Sequence, residues 1–256
     1  MGGDTDIAAV GALVADRGRC QILLALLDGR ALPASRLAAE AGVSPATASS
    51  HLGKLTDAGF LAVEARGRHR YYRLAGPEIA RLIEALQQLA PAAPVTSLRQ
   101  GTRAKALRDA RTCYDHLAGR LGVALMAALI DRGHLVGGDG GYDPGRSPTD
   151  TRVGWGNDVD YALTPAGDAF LAGFGVSVPP RRRLVRYCVD WSEQRHHLAG
   201  ALGRGLLDRV TELGWIRRSE TSRAVHVTPV GHEGLREAFG YDVNAARARS
   251  TSDVLV

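Results

Sequence analysis

A mainly α fold with small β-hairpins, in two parts, is predicted by three observations. Apolar residues recur at helical spacing along most of the chain, with Gly, Pro and Ser signals that stop and restart helices. Between Leu37 and Leu74 a short helix, a turn at Gly42 and a second helix precede two alternating segments around an Arg-rich turn, the order of a winged helix-turn-helix. After Pro94 the sequence repeats itself, which predicts a C-terminal domain of two repeated helix-hairpin-helix units. The expected division is 1–92 for the winged helix-turn-helix and 95–245 for the repeated domain, with units at about 113–176 and 188–243 and a polar tail over 246–256.

Residues 7–29 read as helical, broken in two near Asp16 to Gly18 and stopped by Asp28-Gly29. Pro33 opens a short helix that Gly42 ends. Ser44 caps the next, with Pro45 in its first turn and Val43, Ala48, Leu52 and Leu55 turned to the core; Gly59 ends it. Phe60 to Glu64 and Arg70 to Leu74 alternate as the strands of a hairpin. Pro77 starts a helix with the apolar stripe Ile79, Leu82, Ile83, Leu86 and Leu89, and Pro91-Ala92-Ala93-Pro94 is the best linker.

In the second part His116-Leu117-Ala118-Gly119 recurs 81 residues on as His197-Leu198-Ala199-Gly200. Leu121, Gly122, Leu125 and Gly133 keep that offset at Leu202, Gly203, Leu206 and Gly214. Positions 117, 121, 125 and 129 are spaced by four, so they are expected along one helical face through which the two units pack. Each copy then reaches a short strand, Asp160 to Leu163 and Ala224 to Val227. Each strand ends in Thr-Pro-x-Gly, where Thr164 or Thr228 caps a helix and Pro takes its first position. The first hairpin carries a long Gly-rich loop around Gly137 to Gly145.

The 256 residues are 45% hydrophobic and 23% charged, a globular composition rather than a disordered one. The net charge of +5 favours a polyanionic partner, and its distribution matters more than its size. Three cysteines give no disulfide framework and suggest a reducing compartment. The start lacks a signal-peptide pattern and no apolar run is long enough to span a membrane, so a cytoplasmic protein with no membrane partner is expected. No nucleophile elbow, P-loop or dinucleotide fingerprint stands in a fitting context, so no catalytic residue and no enzyme is expected.

The helix after Gly42 presents Pro45, Ala46, Thr47, Ser49, Ser50, His51 and Lys54 away from its core face. Short polar side chains near a helix N-terminus let the backbone approach base edges, and the free N–H groups there favour phosphate. The hairpin turn and its flanks supply Arg66, Arg68, His69, Arg70 and Arg73, a wing able to follow the DNA backbone or enter the minor groove. Helix and wing in this order predict a partner in double-stranded DNA.

Ala15-Asp16 with Arg19 and Ile22-Leu23, then Val43 to Leu52, then Leu55 with Ala58-Gly59-Phe60-Leu61, then Gly67-Arg68 with Tyr71-Tyr72-Arg73-Leu74, resemble the ArsR/SmtB family of winged-helix repressors over about residues 7–90. The resemblance implies a homodimer closed by the first and last helices of this part, and repression of a palindromic operator relieved by an effector. The stripe from Ile79 to Leu89 suits such an interface, although burial on the chain's own core gives the same pattern. Family metal sensors often carry Cys-x-Cys before the reader, or Asp and His on the last helix. Here Arg30 to Ser35 holds no thiol and Glu78 to Leu89 no His, so those metal sites are not implied.

Sensing, if present, is then expected in the repeated domain. Cys113, Asp115 and His116 recur in kind as Cys188, Asp190 and His197. Such residues ligate zinc-like metals or metalloids, two related thiols form a redox pair, and all six also serve as core, cap and packing residues. Cys20 reads as core. Trp155, Trp191, Trp215, Tyr161 and Tyr187 are candidates to line an apolar ligand pocket, and Arg181-Arg182-Arg183 with Arg186 to add phosphate contacts. The effector, whether small molecule, metal or redox agent, stays open. The competing class is a sensory or protein-interaction module whose winged helix is mainly structural.

Overall fold

The computed structural model describes residues 5–27, 29–67, 69–91, 98–143, 156, 158–176, 184–219 and 222–245. Arg68, most of the linker to Pro94, Trp155, Arg181 to Arg183, the end of the Gly-rich loop and the tail lie outside them. The chain forms two compact units, residues 1–83 and 84–256. The division falls inside a helix rather than at the proline linker.

The first unit begins with α1 (Ile7–Val14) and α2 (Arg17–Ala25). Asp16 separates them by accepting the Arg19 N–H at 2.9 Å, a side-chain cap that starts α2 afresh. β1 (Leu32–Pro33) precedes α3 (Ala34–Ala41), and Pro33, the last residue of the strand, is also the N-cap of the helix. Gly42, at φ +66°, ends α3 in the left-handed region that a side chain would disfavour. α4 (Pro45–Asp57) follows, then the antiparallel strands β2 (Leu61–Arg66) and β3 (His69–Leu74). β1 joins β3 to give a three-stranded sheet in the order β1-β3-β2. Ile22, Leu23, Leu26, Leu27, Leu37, Leu52 and Leu55 fill the core between α2, α3 and α4. α5 (Pro77–Leu89) carries residues of both units.

The second unit opens with α6 (Leu98–Asp109). Next come the hairpin β4 (Arg111–Cys113) and β5 (His116–Ala118), α7 (Gly119–Asp131), the pair β6 (Leu135–Val136) and β7 (Ala162–Leu163), and α8 (Pro165–Phe174). The same order follows again as β8 (Arg186–Val189), β9 (His196–Ala199), α9 (Gly200–Glu212), β10 (Ile216–Arg218), β11 (Val225–Val227) and α10 (Pro229–Phe239). Thr164 and Thr228 cap α8 and α10 through the N–H groups of Gly167 and Gly231, each at 3.0 Å.

One expectation is corrected here. Leu117 does not share a helical face with Leu121, Leu125 and Leu129, because it lies on β5 and α7 starts only at Gly119. Gly119 at φ +73° turns the strand into the helix, and Asp190 of the second hairpin accepts its N–H at 2.7 Å. The remaining leucines and their counterparts Leu202, Leu206 and Val210 do lie in one core, with Tyr161, Tyr187, Leu235 and Phe239.

Candidate functional site

In the first unit, α4 displays the face expected of a reader. The Ser44 hydroxyl accepts the Thr47 N–H at 3.1 Å and lies 2.9 Å from the Thr47 hydroxyl. Pro45, Ala46, Thr47, Ser49, Ser50 and Lys54 are exposed, while Ala48, Leu52 and Leu55 are buried against α2 and α3. His51 departs from the expectation. Its side chain is only 12% exposed, and Nε2 lies 3.5 Å from Asp16 at the start of α2, close over Gly18. It packs two helices together rather than facing solvent.

The wing is less uniformly free than its sequence suggests. Glu64 on β2 accepts from Arg73 at 2.7 Å and from Arg66 at 2.9 Å, and these guanidinium groups hold its carboxyl below the usual range. Arg66 also lies over the Tyr71 ring, 5.2 Å from its centroid. His69 and Arg70 are exposed. Solvent-exposed ion pairs of this kind are weak. α1 supplies a different surface. Its eight residues are only Ile, Ala, Val, Gly and Leu, yet none is buried, and Ile7 is 77% exposed.

In the second unit the structure brings four of the six singled-out cysteine, aspartate and histidine residues to one point. Cys113 pairs with His116 across the first hairpin, and Cys188 with His197 across the second. One ligand atom from each of these four buried residues lies within 4.8 Å of the others. The hairpins meet because α7 packs on β9 and α9 on β5. A Cβ on Gly203 would stand 3.1 Å from the His116 Cβ, and one on Gly122 would stand 3.6 Å from the His197 Cβ and closer still to Leu117 O. Each helix needs its glycine above all against its own strand, since the atom nearest the added Cβ is Leu117 O for Gly122 and Leu198 O for Gly203.

The aspartates stand behind the histidines. His116 Nδ1 lies 3.2 Å from Asp115, and His197 Nδ1 lies 3.3 Å from Asp190. Nε2 of both rings is buried with no hydrogen-bond partner among the described residues. Burial pushes His197 down to about 3, so its ring is neutral at neutral pH. Cys113 donates to Glu84 at 2.9 Å; the Cys188 thiol, burial and Glu84 together push its own thiol well up. Asp190, fully buried, is held ionised by Arg111 at 2.9 Å and by Ser192, against the effect of burial. Sequence reasoning missed Arg111 and Glu84. Nothing in their local pattern distinguishes them from surface charges.

Among the described aromatic residues, Tyr161 and Tyr187 lie in the core with Trp215 packed against it, and Trp191 covers Arg111 at 4.5 Å; Trp155 lies outside the described residues. The open cleft of about 590 Å³ in this unit is lined instead by Arg120, Ala127, Arg132, Arg195 and Tyr241 among others. Cys20 is half-buried and donates to the Val14 carbonyl at 2.8 Å. No helix among the described residues is long and apolar enough to cross a membrane.

A capped helix with a small polar face beside a basic β-hairpin defines a DNA-binding transcription regulator, and comparison with known proteins agrees. Residues 14–64 match a family model described as a helix-turn-helix domain. The chain is 42% identical over 230 residues to the HTH-type transcriptional regulator YdfF of Bacillus subtilis, covering 88% of this chain and 93% of that one. It is 37% identical over 86 residues to the HTH-type transcriptional regulator CmtR of Mycobacterium tuberculosis, covering 34% of this chain and 72% of the relative. A solved homodimeric winged helix-turn-helix domain from Mycobacterium bovis, described as a possible ArsR-family regulator, is 32% identical over 35% of this chain and 89% of its own, with a TM-score of 0.30. The chain belongs to a family of HTH-type transcriptional regulators.

Proposed function

We propose that the protein is an effector-responsive repressor that binds a two-fold operator as a homodimer. The observation that carries this reading is the exposed face of α4, where Pro45, Ala46, Thr47, Ser49, Ser50 and Lys54 follow the Ser44 cap. Side chains this short admit the helix to the major groove, and the wing through Arg66, Arg68, His69, Arg70 and Arg73 holds the backbone. The apolar surface that α1 leaves uncovered supports the dimer. Two readers related by a dyad then enter successive major grooves about 34 Å apart. Residues 1–92 read and dimerise, and 95–245, with its twice-occurring hairpin–helix–hairpin–helix order, sense.

Light scattering is expected to give twice the 256-residue mass for the free chain and that mass plus one duplex on DNA. A monomer in both states overturns the dimer. Arg70→Ala is expected to weaken binding to all duplexes alike and to lower the slope of log affinity against log salt by about 0.9. An unchanged slope in a folded variant removes the wing from the backbone. Binding with no salt dependence at all favours the module whose winged helix is only structural.

A further inference from the structure

The geometry points to a tetrahedral site for a thiophilic divalent metal ion of the zinc class, formed by Cys113, His116, Cys188 and His197. The site is distinct from the reader and stands or falls independently of DNA binding. Its donor set is two sulfurs and two imidazole nitrogens, which suits zinc, cadmium or cobalt and not the oxygen-seeking magnesium or calcium. Bonds of about 2.3 Å to sulfur and 2.0 Å to nitrogen place tetrahedral ligands roughly 3.3–3.8 Å apart. The four donors already lie within 4.8 Å of one another, so closing on an ion takes side-chain adjustment alone.

Three further features fit an ion. Nε2 of His116 and of His197 is buried with no hydrogen-bond partner among the described residues, which is unfavourable unless something fills the space between the rings. Nδ1 of His116 hydrogen-bonds Asp115, the carboxylate–histidine arrangement that fixes ring orientation behind a metal, and Nδ1 of His197 lies 3.3 Å from Asp190 without a hydrogen bond. Asp190 is itself anchored by Arg111, Ser192 and the Gly119 N–H, so this support is rigid. Charge also balances. Two thiols lose their protons to solvent, and two thiolates neutralise a divalent ion, so the ion with its four ligands is uncharged and can stay buried, and Cys113 gives up its hydrogen bond to Glu84. Each hairpin contributes one sulfur and one nitrogen, so the ion ties the two halves of the unit together.

The test titrates cobalt(II) into the full chain, stripped of metal and kept reduced. One equivalent is expected to give a thiolate-to-cobalt charge-transfer band with the intense visible bands of tetrahedral coordination, and zinc is expected to abolish both. The double variant C113S/C188S is expected to lose the charge-transfer band, while C20S keeps it. Should the double variant fail to fold, X-ray absorption of the zinc-loaded wild type decides alone, with a first shell of two sulfurs and two nitrogens expected. A shell of nitrogen and oxygen only, or an undiminished band in the folded double variant, overturns the site. So does a wild type that gives no band with cobalt and converts Cys113 and Cys188 to one disulfide on mild oxidation, which makes the pair a redox couple instead.

Discussion

Arg111→Met is expected to destabilise the second unit by about 3–5 kcal/mol, because it leaves Asp190 charged and unpaired in the interior. Arg111 is 1% exposed and Asp190 fully buried, and the pair is closed by a single 2.9 Å contact. Asp190 keeps the Ser192 and Gly119 donors, yet these are dipoles and do not replace a counter-ion. Methionine retains much of the packing beneath Trp191, which isolates the charge effect. The double variant R111M/D190N is expected to recover part of the loss, since it removes the unpaired charge, while the single amide oxygen accepts either the Gly119 N–H or the Ser192 and Glu193 N–H groups and not both sets. The chain's three tryptophans, Trp155, Trp191 and Trp215, all belong to the second unit. Chemical denaturation followed by tryptophan fluorescence, with chelator present, therefore reads this unit. A loss below about 1 kcal/mol, the range of exposed pairs, contradicts the buried role.

Leu52→Ala is expected to destabilise the first unit by about 2–5 kcal/mol. Leu52 is 1% exposed on the side of α4 opposite its reading face, and with Leu55 it joins α4 to α2 and α3. Loss of its side chain leaves a cavity and loosens the helix whose placement reading requires. The first unit has no tryptophan, so the change is expected in amide hydrogen exchange of α2 to α4 and in DNA affinity, with the fluorescence transition unmoved. Exchange rates in α4 equal to wild type contradict this packing role.

The reader was legible in the sequence because its boundaries are set by local chemistry. Asp16, Gly42, Ser44 and Pro45 act on neighbours within a few residues, and each marks an observed helix end or start. The Thr-Pro starts at Thr164 and Thr228 were legible for the same reason. What failed depends on partners distant in sequence. His51 falls on the polar side of α4 by periodicity, but Asp16 and Gly18 from α2 close over it. Leu117 stands four residues before Leu121 and so imitates a helical stripe, while Gly119 and the distant Asp190 carboxylate break it into strand and helix. The self-similarity of the second part drew attention to both Cys–His pairs. That the pairs converge follows from the hairpins meeting, which no local pattern shows.

Selection of bound duplexes from a random pool, run side by side for wild type, S49A and R70A, tests the central claim that α4 reads the operator. Wild type is expected to select a two-fold site. S49A is expected to lose discrimination at one symmetry-related position in each half-site, by about 1–3 kcal/mol, and R70A to select the wild-type site with weaker binding overall. A wild-type site without two-fold symmetry, or an S49A preference identical to wild type while R70A changes the bases selected, contradicts the account.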